Sequence, residues 1–144
     1  MDVREIMQKI EHQYSYDKIL GITVREPEKG KIVLELPITR SHLNYNHTVH
    51  GAVYAGLLDT ATGLTIRSLT GQPSVTIQLN VHYLAPGKEG DILIATASIW
   101  HQGYKMVKGE AEVRNQEGRL LVNFFGIFKL KWADTRSTGK EERA

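Results

Sequence analysis

The chain of 144 residues is long enough for one compact domain that buries roughly two-thirds of the surface its unfolded form exposes. Its 18 Lys and Arg against 16 Asp and Glu give a formal charge of +2, with cations scattered among acids, which argues against nucleic acid as a partner. Cysteine is absent, which excludes disulfides, thiolate metal sites and a cysteine nucleophile.

The first residues, Met1-Asp2-Val3-Arg4-Glu5, lack the basic start and apolar run of a signal peptide. The most hydrophobic region, 53–64, is shorter than the ~20 residues that span a bilayer and is broken by Asp59. We therefore expect a soluble, cytoplasmic protein with no membrane partner.

Val3, Ile6, Met7, Ile10 and Tyr14 fall at helical spacing and predict an amphipathic first helix over 3–14. Ile22 to Glu26 and then Ile32, Leu34 and Leu36 alternate with polar residues across Pro27-Glu28-Lys29-Gly30, which reads as a β-hairpin. Residues 39–50 are polar and aperiodic, a loop. From Ala52 to Leu69 apolar residues occupy nearly all sides, predicting a buried central helix. Three or four strands follow, over Val75 to Leu84, Asp91 to Trp100, Lys105 to Arg114 and Arg119 to Trp132, joined by short turns that imply antiparallel pairing. Strict alternation puts Val75, Ile77, Leu79, Val81 and Tyr83 on one face of the first of these, with Thr76 on the polar face beside Gln78, Asn80 and His82. The result is an α+β domain over 1–132, an antiparallel sheet wrapped around a central helix. Residues 133–144 read as a loose tail.

Asp59 stands in the middle of the central helix among Leu57, Leu58, Ala61 and Leu64. A buried carboxylate costs several kcal/mol unless paired, so chemistry competes there with a local structural hydrogen bond. Asn44, His50 and Gly51 lie at the start of that helix, where free N–H groups can hold an oxyanion. The ordinary alternative makes Asn44 a turn residue and His50 a helix-start residue. Nine residues at roughly 100° each put Asp59 half a turn from His50, so a site using both needs a second, antiparallel copy of the helix. The histidines at 12, 42, 82 and 101 read as solvated or strand residues, and no histidine spacing suggests a metal.

The run Asn44-Tyr45-Asn46-His47-Thr48-Val49-His50-Gly51-Ala52, the acid at Asp59 and the strand end Asn80-Val81-His82-Tyr83-Leu84-Ala85-Pro86 resemble the hotdog-fold thioesterases related to the phenylacetate-pathway (PaaI-like) enzymes, a branch of the 4-hydroxybenzoyl-CoA thioesterases. The resemblance spans most of residues 15–132. It implies a hotdog fold and hydrolysis of acyl-CoA thioesters in a homodimer or dimer of dimers, with coenzyme A entering only as part of the substrate and no further cofactor or metal. It also implies that Gly51 and Asn44 polarise the thioester carbonyl, that His50 orients the site, that Asp59 of the other chain acts as base or nucleophile, and that the Thr76 hydroxyl helps hold the water. The family pattern has glycines where this chain carries His47 and Ala52; the first departure bears on the placement of Asn44. Lys88 and Lys105 are candidates for the coenzyme A phosphates, with solvated turn lysines as the alternative. A hotdog hydratase or dehydratase, or a non-catalytic acyl-CoA-binding domain, are the competing functions; the Asp-x-Asn-Pro-x-His type of loop that marks the former is missing.

Overall fold

The computed structural model describes residues 2–131. The expected first helix is present as α1 (Val3–Glu11), which buries Ile6 and Met7 but ends before the exposed Tyr14, and it is followed by a short helix the sequence did not predict, α2 (Tyr16–Leu20), which buries none of its residues. The hairpin is present as β1 (Thr23–Glu28) and β2 (Lys31–Pro37). A 3-10 turn (Arg40–His42) and a single Leu43–Val49 bridge organise the stretch that aperiodicity marks as loop. The long helix α3 (Gly51–Thr70) follows, closed by Gly71 at φ 71°, a left-handed conformation that glycine adopts without steric cost. Strands β3 (Ser74–Tyr83), β4 (Ile92–Gln102), β5 (Met106–Arg114) and β6 (Leu120–Leu130) complete the domain.

All six strands form one antiparallel sheet in the order β1-β2-β4-β5-β6-β3, with α3 against its inner face. Leu34 and Leu36 of β2, Leu93 and Ala95 of β4, Val113 of β5 and Val122 of β6 are fully buried beneath Leu57, Leu58 and Ala61. The helix is not apolar all round. Its buried side runs through Tyr54, Leu57, Leu58, Ala61, Thr65 and Ile66, spaced three and four apart, while Asp59, Thr60, Gly63 and Arg67 are only half-buried. Thr62 and Thr65 fit the buried side because each hydroxyl donates to a carbonyl one turn back, at Leu58 and Ala61.

The expected alternation along β3 fails, for a definite reason. Between Thr76 and Gln78 the pairing with β6 slips by one residue: Thr76 faces Phe128 and Gln78 faces Ile127. Ile77 is thus the extra residue of a β-bulge, and an extra residue inverts the parity of everything beyond it. Ser74 and Thr76 pair with the inward Leu130 and Phe128, whereas beyond the bulge Val81 and Tyr83 pair with the inward Phe124 and Val122. Thr76 therefore shares the helix side of the sheet, and Val75 lies on the opposite side, 41% exposed. Among the described residues no helix is long and apolar enough to cross a membrane.

Candidate active site

The loop before α3 is built around Asn44. Its Oδ1 accepts the backbone N–H groups of Asn46 (2.9 Å) and Thr48 (3.2 Å), and its Nδ2 donates to Thr48 Oγ1 (2.9 Å). One of the two amide N–H bonds is thereby used and the other faces no acceptor among the described residues, so a rigid turn presents a side-chain donor. The loop closes through His47 at φ 62°, the one non-glycine residue with positive φ among those described. That is the position where the sequence departs from a glycine.

His50 is the N-cap of α3. Its Nδ1 accepts the Ala52 N–H at 2.9 Å, which assigns the proton of the neutral ring to Nε2, and its carbonyl takes the Val53 N–H at 2.9 Å. Both N–H groups after Gly51 are thus occupied, which leaves the Gly51 N–H as the helix-start donor without an acceptor among the described residues. Tyr83, at the end of β3, fixes this start from the other side: its hydroxyl donates to the Gly51 carbonyl at 2.9 Å and lies 3.3 Å from where a Cβ at Gly51 would sit. An open cavity of about 350 Å³ is lined by Asn44, Gly51, Tyr54, Tyr83 and Pro86. The structure thus brings Asn44 and Gly51 to one cavity.

Asp59 does not reach that cavity. Eight residues along α3 separate it from Gly51, a rise of roughly 12 Å. Its carboxylate is half-exposed and not isolated: Thr76 Oγ1 donates to Asp59 Oδ1 at 2.6 Å, a short charge-assisted bond made possible by the β3 bulge. The expectation of a carboxylate enclosed by leucines is corrected accordingly. The aspartate that is buried is Asp91, and its oxygens are consumed by the Lys88 N–H (3.0 Å) and the Gln116 amide (3.1 Å) that hold the β3–β4 loop.

Lys88 lies in that loop beside Pro86, at the Gly51 end of the sheet, while Lys105 lies in the β4–β5 turn, where its carbonyl accepts the N–H of Leu130, the partner of Ser74. The two lysines stand at opposite ends of β4. Tyr54 and His42 were not marked by the sequence. Tyr54 Oη accepts the Gly87 N–H at 2.8 Å, and burial, with smaller contributions from Asp91 and Tyr83, pushes its phenol above the ordinary tyrosine value. His42 is a buried loop residue rather than a solvated one: Nδ1 accepts from the Thr39 N–H and Nε2 donates to the Leu20 carbonyl at 2.7 Å, tying the loop to α2. Tyr54 lies on the buried face of α3 and His42 in the 3-10 turn before it, and since periodicity reports burial and not a polar partner, only the folded loop reveals what each bonds.

A helix inside an antiparallel sheet, with amide donors at its start and a carboxylate two turns on, defines a hotdog-type thioesterase scaffold. Residues 46–122 match the thioesterase superfamily. The chain is 26% identical over 123 residues to acyl-coenzyme A thioesterase 13 of Homo sapiens, covering 83% of this chain and 88% of that one. It is 32% identical over 109 residues to acyl-coenzyme A thioesterase PaaI of Escherichia coli K12, covering 76% and 77%. The structure of the E. coli PaaI protein from the phenylacetic acid degradation operon superposes with a TM-score of 0.86 at 27% identity, over 91% of this chain and 94% of that one. A hypothetical thioesterase protein from Streptococcus pneumoniae solved with coenzyme A gives 0.74 at 28%, over 80% and 92%. The chain belongs to the thioesterase superfamily and has the hotdog fold of its PaaI-like branch.

Proposed function

We propose that this protein hydrolyses acyl-CoA thioesters in active sites formed between two copies of the chain. The observation that carries the reading is the separation of the two halves of the chemistry: carbonyl-polarising donors at Asn44 and Gly51, and the Asp59–Thr76 pair about 12 Å further along α3. β3 spans both halves, with Thr76 near one end and Tyr83 at the other, and it is an edge strand. A long edge with exposed Ile77 and Tyr83 invites pairing with another strand. Antiparallel pairing of two β3 strands about a two-fold axis lays the Thr76 end of one chain against the Tyr83 end of the other, joining Asp59 of one to Asn44 and Gly51 of its partner. Tyr45, fully exposed beside Asn44, supplies apolar surface for the same contact. The two lysines at opposite ends of β4, Lys88 and Lys105, then come to one site from different chains and can meet the coenzyme A phosphates. On the outer face of the sheet, exposed Trp100 stacks on Phe125 at 5.8 Å and offers a patch through which dimers can pair.

In this site the Gly51 N–H and the Asn44 amide hold the thioester oxygen and stabilise the oxyanion, an effect worth about 10²-fold or more per donor. His50 keeps Gly51 in place as the cap. Asp59, held by Thr76, takes a proton from water as it adds to the carbonyl carbon, or attacks that carbon itself; a carboxylate serves either route. On the first route the carbon–sulfur bond then breaks and Asp59 returns its proton to the departing CoA thiolate; on the second the thiolate leaves an Asp59–acyl anhydride, which water hydrolyses to the free acid and the regenerated carboxylate, a proton of that water going to the thiolate. No cofactor or metal takes part. Release of free thiol from acyl-CoAs, followed with a thiol reagent, tests the reading: steady turnover supports it. Binding without release would make the protein a binding domain, and addition or loss of water with the thioester intact would make it a hydratase or dehydratase.

A further inference from the structure

The Gly51 N–H is a backbone donor whose aim depends on how firmly the first residue of α3 is held, and glycine by itself holds nothing. Two side chains clamp the peptide that follows it. His50 Nδ1 accepts the Ala52 N–H at 2.9 Å, and Tyr83 Oη donates to the Gly51 carbonyl at 2.9 Å. The phenol occupies the place of the missing side chain: a Cβ at Gly51 would stand 3.3 Å from Tyr83 Oη and 3.4 Å from its Cζ. Gly51 is not among the glycines with positive φ, so what glycine supplies here is room for the ring. Tyr83 is held in turn. Its ring meets that of Tyr54 edge-on, with centroids 6.0 Å apart and planes at 69°. Tyr54 Oη accepts the Gly87 N–H at 2.8 Å, and a second glycine makes that approach possible, since a Cβ on Gly87 would fall 2.6 Å from the phenol oxygen. The Gly87 carbonyl takes the Val49 N–H at 2.9 Å, from the loop that carries Asn44. Gly87 thus anchors both carbonyl-polarising donors, Asn44 through the loop backbone and Gly51 through two tyrosines.

We propose that Tyr83 is a positioning residue for the reaction: its hydroxyl, through the Gly51 carbonyl, aims the Gly51 N–H at the thioester oxygen and keeps it in register with the Asn44 amide. This rests on the thioesterase reading above and adds to it a residue that acts through the backbone of another. A donor to an oxyanion lowers the barrier only where it meets the oxygen of the transition state, so a small drift of Gly51 costs rate and leaves ground-state binding nearly intact. Packing of the Tyr83 ring against Tyr54 survives loss of the hydroxyl, which separates the positioning role from a structural one.

The test is a double-mutant cycle on thiol release from one acyl-CoA, with Tyr83→Phe, Gly51→Ala and the two combined. Tyr83→Phe keeps the ring and deletes one oxygen; kcat should fall about tenfold while KM stays within about twofold of the wild type. Because the hydroxyl acts through Gly51, and because its removal relieves the closest contact of the new methyl group, Gly51→Ala should cost less in Tyr83→Phe than in the wild type. An unchanged kcat in Tyr83→Phe overturns the proposal. A loss that appears only in KM overturns it too, by making Tyr83 a substrate contact, and losses that multiply in full overturn the route through Gly51. A backbone measurement stands apart from turnover: the Ala52 amide, on the clamped peptide, should exchange with solvent about threefold faster or more in Tyr83→Phe. Equal protection in the two proteins overturns the clamp whatever the rates show. Wild-type protein that releases thiol from no acyl-CoA would instead overturn the thioesterase reading, on which the role of Tyr83 depends.

Discussion

Thr76 Oγ1 donates a 2.6 Å hydrogen bond to Asp59 Oδ1 only because Ile77 is an extra residue in β3. Without the bulge, parity would turn the Thr76 side chain away from the helix. The bond holds one carboxylate oxygen and leaves the other for water. We predict that Thr76→Ala lowers kcat by about tenfold, the equivalent of one hydrogen bond to a charged group, while Thr76→Ser retains most of it. Equal losses in both variants would mean that the methyl group, and not the hydroxyl, matters.

His47 holds a left-handed backbone, which costs an L-residue roughly 1–2 kcal/mol relative to glycine. Part of that is offset by the greater unfolded-state entropy of glycine. His47→Gly should therefore stabilise the folded protein by about 0.5–1 kcal/mol, read as a higher urea midpoint with an unchanged slope. A lower midpoint would show that the imidazole makes contacts that outweigh the strain.

Tyr54 closes the buried Gly87 N–H, so Tyr54→Phe should cost about 1–3 kcal/mol by leaving that donor unsatisfied. The phenol also gives a pH signature. Burial raises its folded pKa above the ordinary value near 10, so its contribution is intact below about pH 10 and is lost as pH rises through the folded value. The wild type should lose stability above about pH 10 more steeply than Tyr54→Phe, in unfolding curves compared at rising pH. Parallel curves would contradict the burial argument.

The large elements were legible because their signals are periodic: Val53, Leu57, Ala61 and the alternation of β6 through Val122, Phe124, Phe128 and Leu130 survive in the structure. The bulge was not, since a period of two assumes one residue per step and Ile77 is as good a strand residue as its neighbours. α2 escaped because a five-residue helix is too short to show a period. Asn44, Gly51 and Asp59 came from residue type, spacing and resemblance, but which of them share a cavity needed the fold. The half-exposure of Asp59 was hidden by its apolar sequence neighbours, which lie on the other side of α3.

Metal should play no part, because a carboxylate held by Thr76 can activate water unaided. Dialysis against a strong chelator should leave thiol release unchanged. A loss that Zn²⁺ or Mn²⁺ restores would contradict the mechanism.

The central claim is that each site draws on two chains, and complementation tests it most directly. Asn44→Ala spoils the carbonyl side and Asp59→Asn the acid side, each costing about 10²-fold. Unfolded and refolded together in equal amounts, they give about half mixed dimers, in each of which one site carries both lesions and the other carries neither. We predict that about a quarter of wild-type thiol release returns in the mixture and in neither parent. With mixed dimers confirmed by mass, a mixture no more active than its parents would mean that each site is built within a single chain.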